Sequence, residues 1–112
     1  MLPCYRTRNQ VLAVIDAIGA EVQTIIAVDD ACPEGTGAYL QEHCTDPRLQ
    51  VVFHAQNQGV GAAVLTGWKL AALTTADILI KLDSDGQMDP RRIRRLVSGI
   101  CSGKADYCKG NR

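Results

Sequence analysis

Three carboxylates and a side-chain amide fall within one short segment of the chain, LDSDGQMDP. Carboxylates this close together repel one another unless a cation or water lies between them. Hard divalent cations such as Mg²⁺ and Mn²⁺ prefer oxygen ligands, and they commonly bind one or two protein carboxylates together with substrate phosphates. Asp83, Asp85 and Gln87 are therefore candidate metal ligands, and a solvated acidic turn is the alternative. Asp89, which precedes a proline, is predicted to cap a helix.

Two further segments place polar or glycine residues where a predicted strand ends. In VDDACPEGTG, Asp29 and Asp30 could accept hydrogen bonds from a base or a ribose hydroxyl, or they could simply close a turn. In NQGVGAAVLTG, Gly59 and Gly61 precede a predicted helix, whose N-terminus could bind an anion. The glycine spacing matches neither a dinucleotide fingerprint nor a Walker motif, so a tight strand–helix turn is the other interpretation.

The hydrophobic pattern predicts the elements that position these segments. Short β-branched runs indicate strands over residues 24–30, 49–55 and 77–83, each buried on both faces, with MLPCY ending a first strand and ADYCKG forming a last one. Amphipathic helices are predicted between them, over residues 8–20, 37–45, 60–73 and 89–103. Alternating strands and helices predict a mainly parallel α/β sheet with flanking helices. All three polar segments then meet at one edge, where such sheets bind ligands.

Composition sets limits on the class of protein. A length of 112 residues indicates one domain over residues 1–112. The formal net charge is zero, which excludes the basic excess of a nucleic-acid-binding domain. Five cysteines without a CxxC pair indicate reduced thiols in the cytoplasm. His43 and His54 lack zinc-site spacing and are predicted to be an exposed and a strand-end histidine. The arginine-rich PRRIRRL is predicted to be a solvated face, with contact to anionic lipid as the alternative.

Five segments in order carry a family resemblance: PCY, VDDACPEGTG, NQGVGAAVLTGWKLA, LDSDGQMDP and GNR. Together they resemble the family 2 glycosyltransferases of the GT-A fold, and within them the polyprenyl-phosphate sugar synthases such as dolichol-phosphate mannose synthase. The resemblance implies a Rossmann-like α/β domain that is truncated at both ends and forms the N-terminal, donor-binding portion of a longer enzyme. It departs from the family at Thr7, where a Glu is usual, and at Val64 and Leu65, where Arg-Asn is usual.

The resemblance also implies an activity and the residues that serve it. A sugar would pass from a UDP- or GDP-linked donor to a polyprenyl phosphate or glycan acceptor, with Asp83 and Asp85 as catalytic residues. These two carboxylates, joined by Gln87, would hold Mg²⁺ or Mn²⁺. The residues implied in nucleotide-sugar binding are Pro3, Tyr5, Asp29, Asp30, Asn57, Gly59, Asp83, Ser84 and Arg112.

The expected location follows from the acceptor. The resemblance implies a cytoplasmic protein, or one held at the cytoplasmic face of a membrane through a missing C-terminal part. Two alternatives remain open at the level of sequence. One is a nucleotide-binding module or fragment without turnover, and the other is a different metal-dependent phosphoryl- or nucleotidyl-transfer enzyme.

Overall fold

The β-branched runs of the sequence form a parallel sheet. In the computed structural model, which describes residues 1–76 and 78–101, the sheet contains β1 (Leu2–Cys4), β2 (Ile25–Asp29) and β3 (Leu49–Phe53). The strand order is β1-β2-β3 and both pairs are parallel. The carboxyl ends of the three strands therefore lie at the same edge. The predicted Rossmann-like α/β fold with a parallel sheet and flanking helices is confirmed.

A fourth segment runs beside β1 on the side opposite β2. The Met1 ammonium group donates to the Ile80 carbonyl at 2.6 Å, and the Leu82 N–H donates to the Met1 carbonyl at 3.0 Å. This alternation is the pattern of a parallel ladder. Residues 78–83 nevertheless form no regular strand, so the strand predicted there is wrong. Their partner β1 is three residues long and offers few backbone groups for pairing.

In the part of the chain that the structure describes, four helices and one 3₁₀ turn connect and follow the strands. The helices are α1 (Val11–Asp16), α2 (Thr36–His43), α3 (Val60–Ala71) and α4 (Ile93–Cys101), and the 3₁₀ turn Pro90–Arg92 leads into α4. The predicted boundaries of α2 and α3 are close to the observed ones. The prediction for α1 was too long, because the chain leaves the helix after Asp16.

A side chain from a distant loop holds the segment that follows α1. The Arg48 guanidinium donates to the carbonyl oxygens of Ile18, Gly19 and Val22 at 3.1, 2.7 and 2.9 Å. It also pairs with Asp46 at 2.8 Å. Carbonyl groups that a longer helix would use internally are thus satisfied by a charged donor instead. The predicted cap of the last helix is confirmed, since the side chain of Asp89 accepts from the Arg91 N–H at 3.0 Å.

The core lies on both faces of the sheet. On one face α1 and α2 pack residues such as Ile15 and Leu40 against β1 and β2. On the other face α3 packs Ala63 and Ala71 against Ile26 and Val28 of β2. Every residue of β2 is buried, as predicted for a central strand.

Burial on both faces was wrongly predicted for two segments. The side of β3 away from β2 has no neighbouring strand in the described part of the chain, and Phe53 is 48% exposed. Leu79, in the segment beside β1, is 40% exposed. The predicted strand at residues 105–110 lies outside the described residues. Among the described helices, none has both the length and the apolar character needed to cross a bilayer.

Candidate functional site

A cavity of about 360 Å³ opens at the carboxyl edge of the sheet. The three predicted segments meet there, as the topology requires. Eight of the predicted site residues line it: Pro3, Tyr5, Asp30, Asn57, Gly59, Asp83, Ser84 and Asp85. Four lining residues were not predicted as site residues: Cys4, Thr7, Val60 and Ala63. The sequence does place these four beside the predicted ones, because Cys4 ends β1, Thr7 lies just after it, and Val60 and Ala63 lie at the start of α3.

Ser84 fixes the acidic turn to the end of β1. Its side chain is buried, and its hydroxyl donates to the Pro3 carbonyl at 2.9 Å. A second hydroxyl, Thr7 Oγ1, lies 2.8 Å from Ser84 Oγ. Because the single Ser84 proton goes to a carbonyl, which can only accept, Thr7 is the donor in this pair. The buried bonds of Ser84 therefore hold the two flanking carboxylates, Asp83 and Asp85, at the cavity wall.

Each of those carboxylates has a neighbour outside the cavity. Lys81 Nζ lies 2.8 Å from Asp83 Oδ1, and this pair is partly exposed. Asp85 Oδ1 accepts from the backbone N–H of Gln87 at 3.0 Å, which closes a turn around Gly86. Gly86 has φ of +83°, a conformation that favours glycine. The side chain of Gln87 is not part of the cavity lining.

The acidic side chains at the wall limit how a divalent cation could be held there. No group of three or more His, Cys, Asp or Glu side chains in the described residues could hold a metal ion. The protein therefore supplies two carboxylates at this wall, Asp83 and Asp85. Two carboxylates fit the common mode of Mg²⁺ binding, in which substrate phosphates and water complete the coordination shell. They do not form a dedicated protein cage.

Asp30 is a buried carboxylate that organises the glycine-rich loop. Its Oδ1 accepts from the Gln58 N–H and its Oδ2 from the Gly59 N–H, both at 2.8 Å. His54 Nδ1 lies 2.8 Å from the same Oδ1. Burial by itself would raise the pKa of Asp30, but the hydrogen bonds from Gln58, His54 and Gly59 outweigh it and lower that pKa below its ordinary value. Asp30 is therefore the anion around which the loop folds.

His54 was predicted to be an ordinary strand-end histidine, and the structure gives it a more specific position. Its side chain is 8% exposed and bridges two groups. Nδ1 contacts Asp30, and Nε2 lies 2.8 Å from the Thr66 hydroxyl in α3. The parallel register pairs Asp29 with Phe53, so the next residues along both strands are also neighbours. This register is set by contacts between distant parts of the chain, so no sequence motif identified His54 as the neighbour of Asp30.

Asp29 was predicted to bind the nucleotide, and the structure does not bring it to the cavity. Its Oδ1 accepts from the Cys32 N–H and its Oδ2 from the Gly37 N–H, each at 2.7 Å. Gly37 lies in the first turn of α2, so the carboxylate acts as an anion at a helix N-terminus. Side chains alternate along a strand, and Asp29 therefore faces α2 while Asp30 faces α3.

Two cysteines near the cavity differ in environment. Burial raises the pKa of Cys4 to about 12, which keeps this thiol protonated. Cys32 is half-buried, and its Sγ accepts from the Arg6 N–H at 3.0 Å and contacts Thr36 Oγ1 at 3.1 Å. Burial opposes ionisation of Cys32, but hydrogen bonds from Thr36, Arg6 and Glu34 outweigh it and lower its pKa. Cys4 is thus a buried thiol that stays protonated, and Cys32 is the more easily ionised of the two.

The charge of the cavity wall constrains what can bind there. Three carboxylates, those of Asp30, Asp83 and Asp85, belong to the lining, and no Lys or Arg of the described residues does. An anionic ligand would be repelled unless a cation accompanied it. Arg112, which was predicted to contact the donor's phosphates, lies outside the described residues.

Fold and cavity together define a class of protein, namely a Rossmann-like α/β domain with an acidic ligand site at the carboxyl edge of its sheet. The family model described as "Glycosyl transferase family 2" matches residues 1–112. The chain belongs to this family, and the resemblance stated from the sequence motifs is confirmed.

Several curated proteins are similar to the chain. The polyprenol monophosphomannose synthase of Mycolicibacterium smegmatis is 30% identical over 100% of this chain and 43% of its own length. The undecaprenyl-phosphate mannosyltransferase of Micrococcus luteus is 30% identical over 79% of this chain and 36% of its own length. The UDP-N-acetylglucosamine–dolichyl-phosphate N-acetylglucosaminyltransferase of Methanococcus voltae is 27% identical over 100% of this chain and 50% of its own length. The chain thus spans between about a third and a half of the relatives it matches.

Proposed function

We propose that the chain forms the donor-binding part of a glycosyltransferase that transfers a sugar from a nucleoside-diphosphate sugar to a polyprenyl phosphate. The observation that carries this proposal is the pair of carboxylates, Asp83 and Asp85, held at the cavity wall by the buried Ser84. The names of three relatives agree with it, because each names a polyprenyl- or dolichyl-phosphate sugar transfer.

The charge of the site explains why a cation would be needed. Departure of a nucleoside diphosphate concentrates negative charge on its phosphates, and the lining supplies only carboxylates among the described residues. Asp83 and Asp85 would hold Mg²⁺ or Mn²⁺, and the bound cation would neutralise the phosphates of the leaving group. Gln87 contributes its backbone N–H, which orients the Asp85 carboxylate.

The remaining lining residues would receive the nucleoside. Tyr5 is 42% exposed at the cavity, so its ring offers a surface on which a base could stack. Both oxygens of Asp30 already accept hydrogen bonds from the loop, so its contribution is to place Asn57 and Gly59 at the wall. The UDP or GDP preference would then depend on groups at the rim near Tyr5 and Asn57.

The acceptor follows from the chemistry of the family and its relatives. A polyprenyl phosphate already carries a nucleophilic oxygen anion and needs no general base to activate it. Such an acceptor resides in a membrane, so we propose that the protein acts in the cytoplasm or at the cytoplasmic face of a membrane. A glycan acceptor would instead present a hydroxyl group, which would need a general base to activate it.

Nucleotide binding by this chain tests the proposal directly. Thermal unfolding would be followed with UDP, GDP and their sugar conjugates, with and without Mn²⁺. A ligand present at a hundred times its Kd stabilises the folded state by about 2.7 kcal/mol. We expect a rise in melting temperature that needs both one nucleotide and the metal. The Asp85→Asn variant should abolish the rise, whereas Asp16→Asn, at an exposed position of α1 that does not line the cavity, should retain it.

Different results of this experiment would refute different parts of the proposal. A cooperative melt with no nucleotide effect under any condition would refute the proposal. Binding that does not change with Mn²⁺ would refute the metal role of Asp83 and Asp85. Since the chain spans less than two thirds of its relatives, a binding module without turnover is the second candidate. Incubation with a nucleotide sugar and a short polyprenyl phosphate, followed by mass spectrometry, distinguishes the two, because only the enzyme forms the glycosylated lipid.

A further inference from the structure

A hydrogen-bonded chain lies behind the cavity wall and connects three elements of the fold. Asp30 follows β2, His54 follows β3, and Thr66 lies within α3. His54 contacts the other two at 2.8 Å each, through Nδ1 and Nε2 respectively. Neither His54 nor Thr66 lines the cavity, whereas Asp30 does.

The donor and the acceptor in each of these two hydrogen bonds follow from the chemistry of the partner groups. The lowered pKa of Asp30 makes it a carboxylate near neutral pH, and a carboxylate only accepts hydrogen bonds. Nδ1 of His54 must therefore carry a proton and donate it to Asp30. When the ring is neutral, Nε2 is an acceptor and the Thr66 hydroxyl donates to it. Each polar atom of the chain is then satisfied, and the described residues contain no buried side-chain N or O atom without a partner.

The hydrogen bonds of Asp30, His54 and Thr66 lead to the loop that forms one wall of the cavity. The Asp30 oxygens that His54 orients also accept the N–H groups of Gln58 and Gly59. Gly59 has φ of +92°, so the backbone at this point adopts a conformation suited to glycine and is held there by Asp30. Asn57 and Gly59 line the cavity as a consequence. The orientation of the Asp30 carboxylate thus sets the position of the wall.

We propose that His54 and Thr66 are positioning residues for nucleotide binding. Through Asp30 they hold the Gln58–Gly59 loop in the arrangement that receives the donor. The part of this inference that concerns nucleotide affinity rests on the proposed function. The part that concerns the loop does not, because it can be measured without any nucleotide.

Paired variants at Thr66 and His54 test the inference. Thr66→Val removes the hydroxyl and keeps the shape of the side chain, whereas Thr66→Ser keeps the hydroxyl. His54→Leu removes both hydrogen bonds, whereas His54→Asn keeps a donor close to the Nδ1 position. Amide hydrogen exchange of Gln58 and Gly59 would be measured without ligand. Affinity for UDP and for GDP with Mn²⁺ would be measured by calorimetry.

We expect exchange at the two amides to accelerate about tenfold in Thr66→Val and by more in His54→Leu, as expected for the loss of one or two buried hydrogen bonds. Nucleotide affinity should fall by a similar factor. Thr66→Ser should restore both values to within about twofold, and His54→Asn should lie between the extremes. Val14→Ala is the stability control, because Val14 is buried on the opposite face of the sheet. It should lower the melting temperature without changing either value.

Each outcome decides between the two proposals. Unchanged exchange of Gln58 and Gly59 in His54→Leu would refute the positioning role, whatever happens to affinity. Equal effects of Thr66→Val and Val14→Ala would also refute it, since general destabilisation would then explain the data. If the unsubstituted protein bound no nucleotide, the proposed function would be overturned, and with it the effect on affinity. The exchange measurement would still decide whether His54 and Thr66 hold the Gln58–Gly59 loop.

Discussion

The substitution Asp29→Asn separates a structural aspartate from a binding aspartate. The two oxygens of Asp29 accept the N–H groups of Cys32 and Gly37 at 2.7 Å each, and the residue is 3% exposed. The approach is close enough that a Cβ on Gly37 would lie 2.7 Å from Asp29 Oδ2. Asparagine has one acceptor oxygen, so its amide group would face one of these two N–H donors.

The size of the effect can be estimated from these contacts. One charge-assisted hydrogen bond is lost, and one buried N–H donor is left opposite another donor, which together cost about 3 kcal/mol. In a domain of this size the melting temperature should fall by roughly 10 °C. Nucleotide affinity, measured well below the melting temperature, should change by less than about threefold, because Asp29 does not line the cavity.

Chemical denaturation and calorimetry measure the two quantities separately. Asp85→Asn is the matched control, since it makes the same chemical change at the cavity wall. It should lower the free energy of unfolding by less than about 1 kcal/mol, because its hydrogen bond to Gln87 is exposed. It should nevertheless abolish metal-dependent nucleotide binding. If Asp29→Asn lost nucleotide affinity at unchanged stability, Asp29 would belong to the site and the structural reasoning would be refuted.

Three further results are expected. Arg48→Met should lower the free energy of unfolding by about 2–3 kcal/mol in urea titrations, because three backbone carbonyls lose a partly buried charged donor; a change below about 0.5 kcal/mol would contradict this. Iodoacetamide at neutral pH should alkylate Cys32 on the order of ten times faster than Cys4, by peptide mass spectrometry, since hydrogen bonds lower one pKa and burial raises the other; equal rates would contradict it. The lowered pKa of Asp30 makes its stability contribution complete above the ordinary value of 3.8 and lost as pH falls through the folded value. Asp30→Asn should remove that part of the acid-unfolding curve, and an unchanged curve would argue against it.

Much of the fold could be predicted because it depends on local pattern and on general topology. The runs that form β2 and β3 were visible as apolar segments, and α2 and α3 began within a residue of their predicted starts. Parallel strands present their carboxyl ends at one edge of the sheet, and this rule predicted that the three polar segments lie close together. Eight predicted site residues consequently line one cavity.

The errors share a physical cause, which is dependence on contacts between distant parts of the chain. The end of α1 is set by Arg48, about 30 residues away in the sequence, whose guanidinium satisfies three carbonyls. The exposure of Phe53 depends on which strand lies at the edge of the sheet, and the sequence of one segment does not determine the order of the strands. The bridge formed by His54 requires the register between β2 and β3 and the placement of α3.

The neighbouring residues Asp29 and Asp30 have the same side chain but different roles, and the alternation of side chains along a strand explains the difference. Both are carboxylates, both follow a buried strand, and the sequence motif alone gave them the same candidate role. A strand directs successive side chains to opposite faces, and here Asp30 lines the cavity while Asp29 faces α2. Asp29 stabilises the start of α2 and Asp30 holds the loop before α3. One pair of identical side chains therefore ties a helix on each face of the sheet to the same strand end, and this places the cavity between rigid elements.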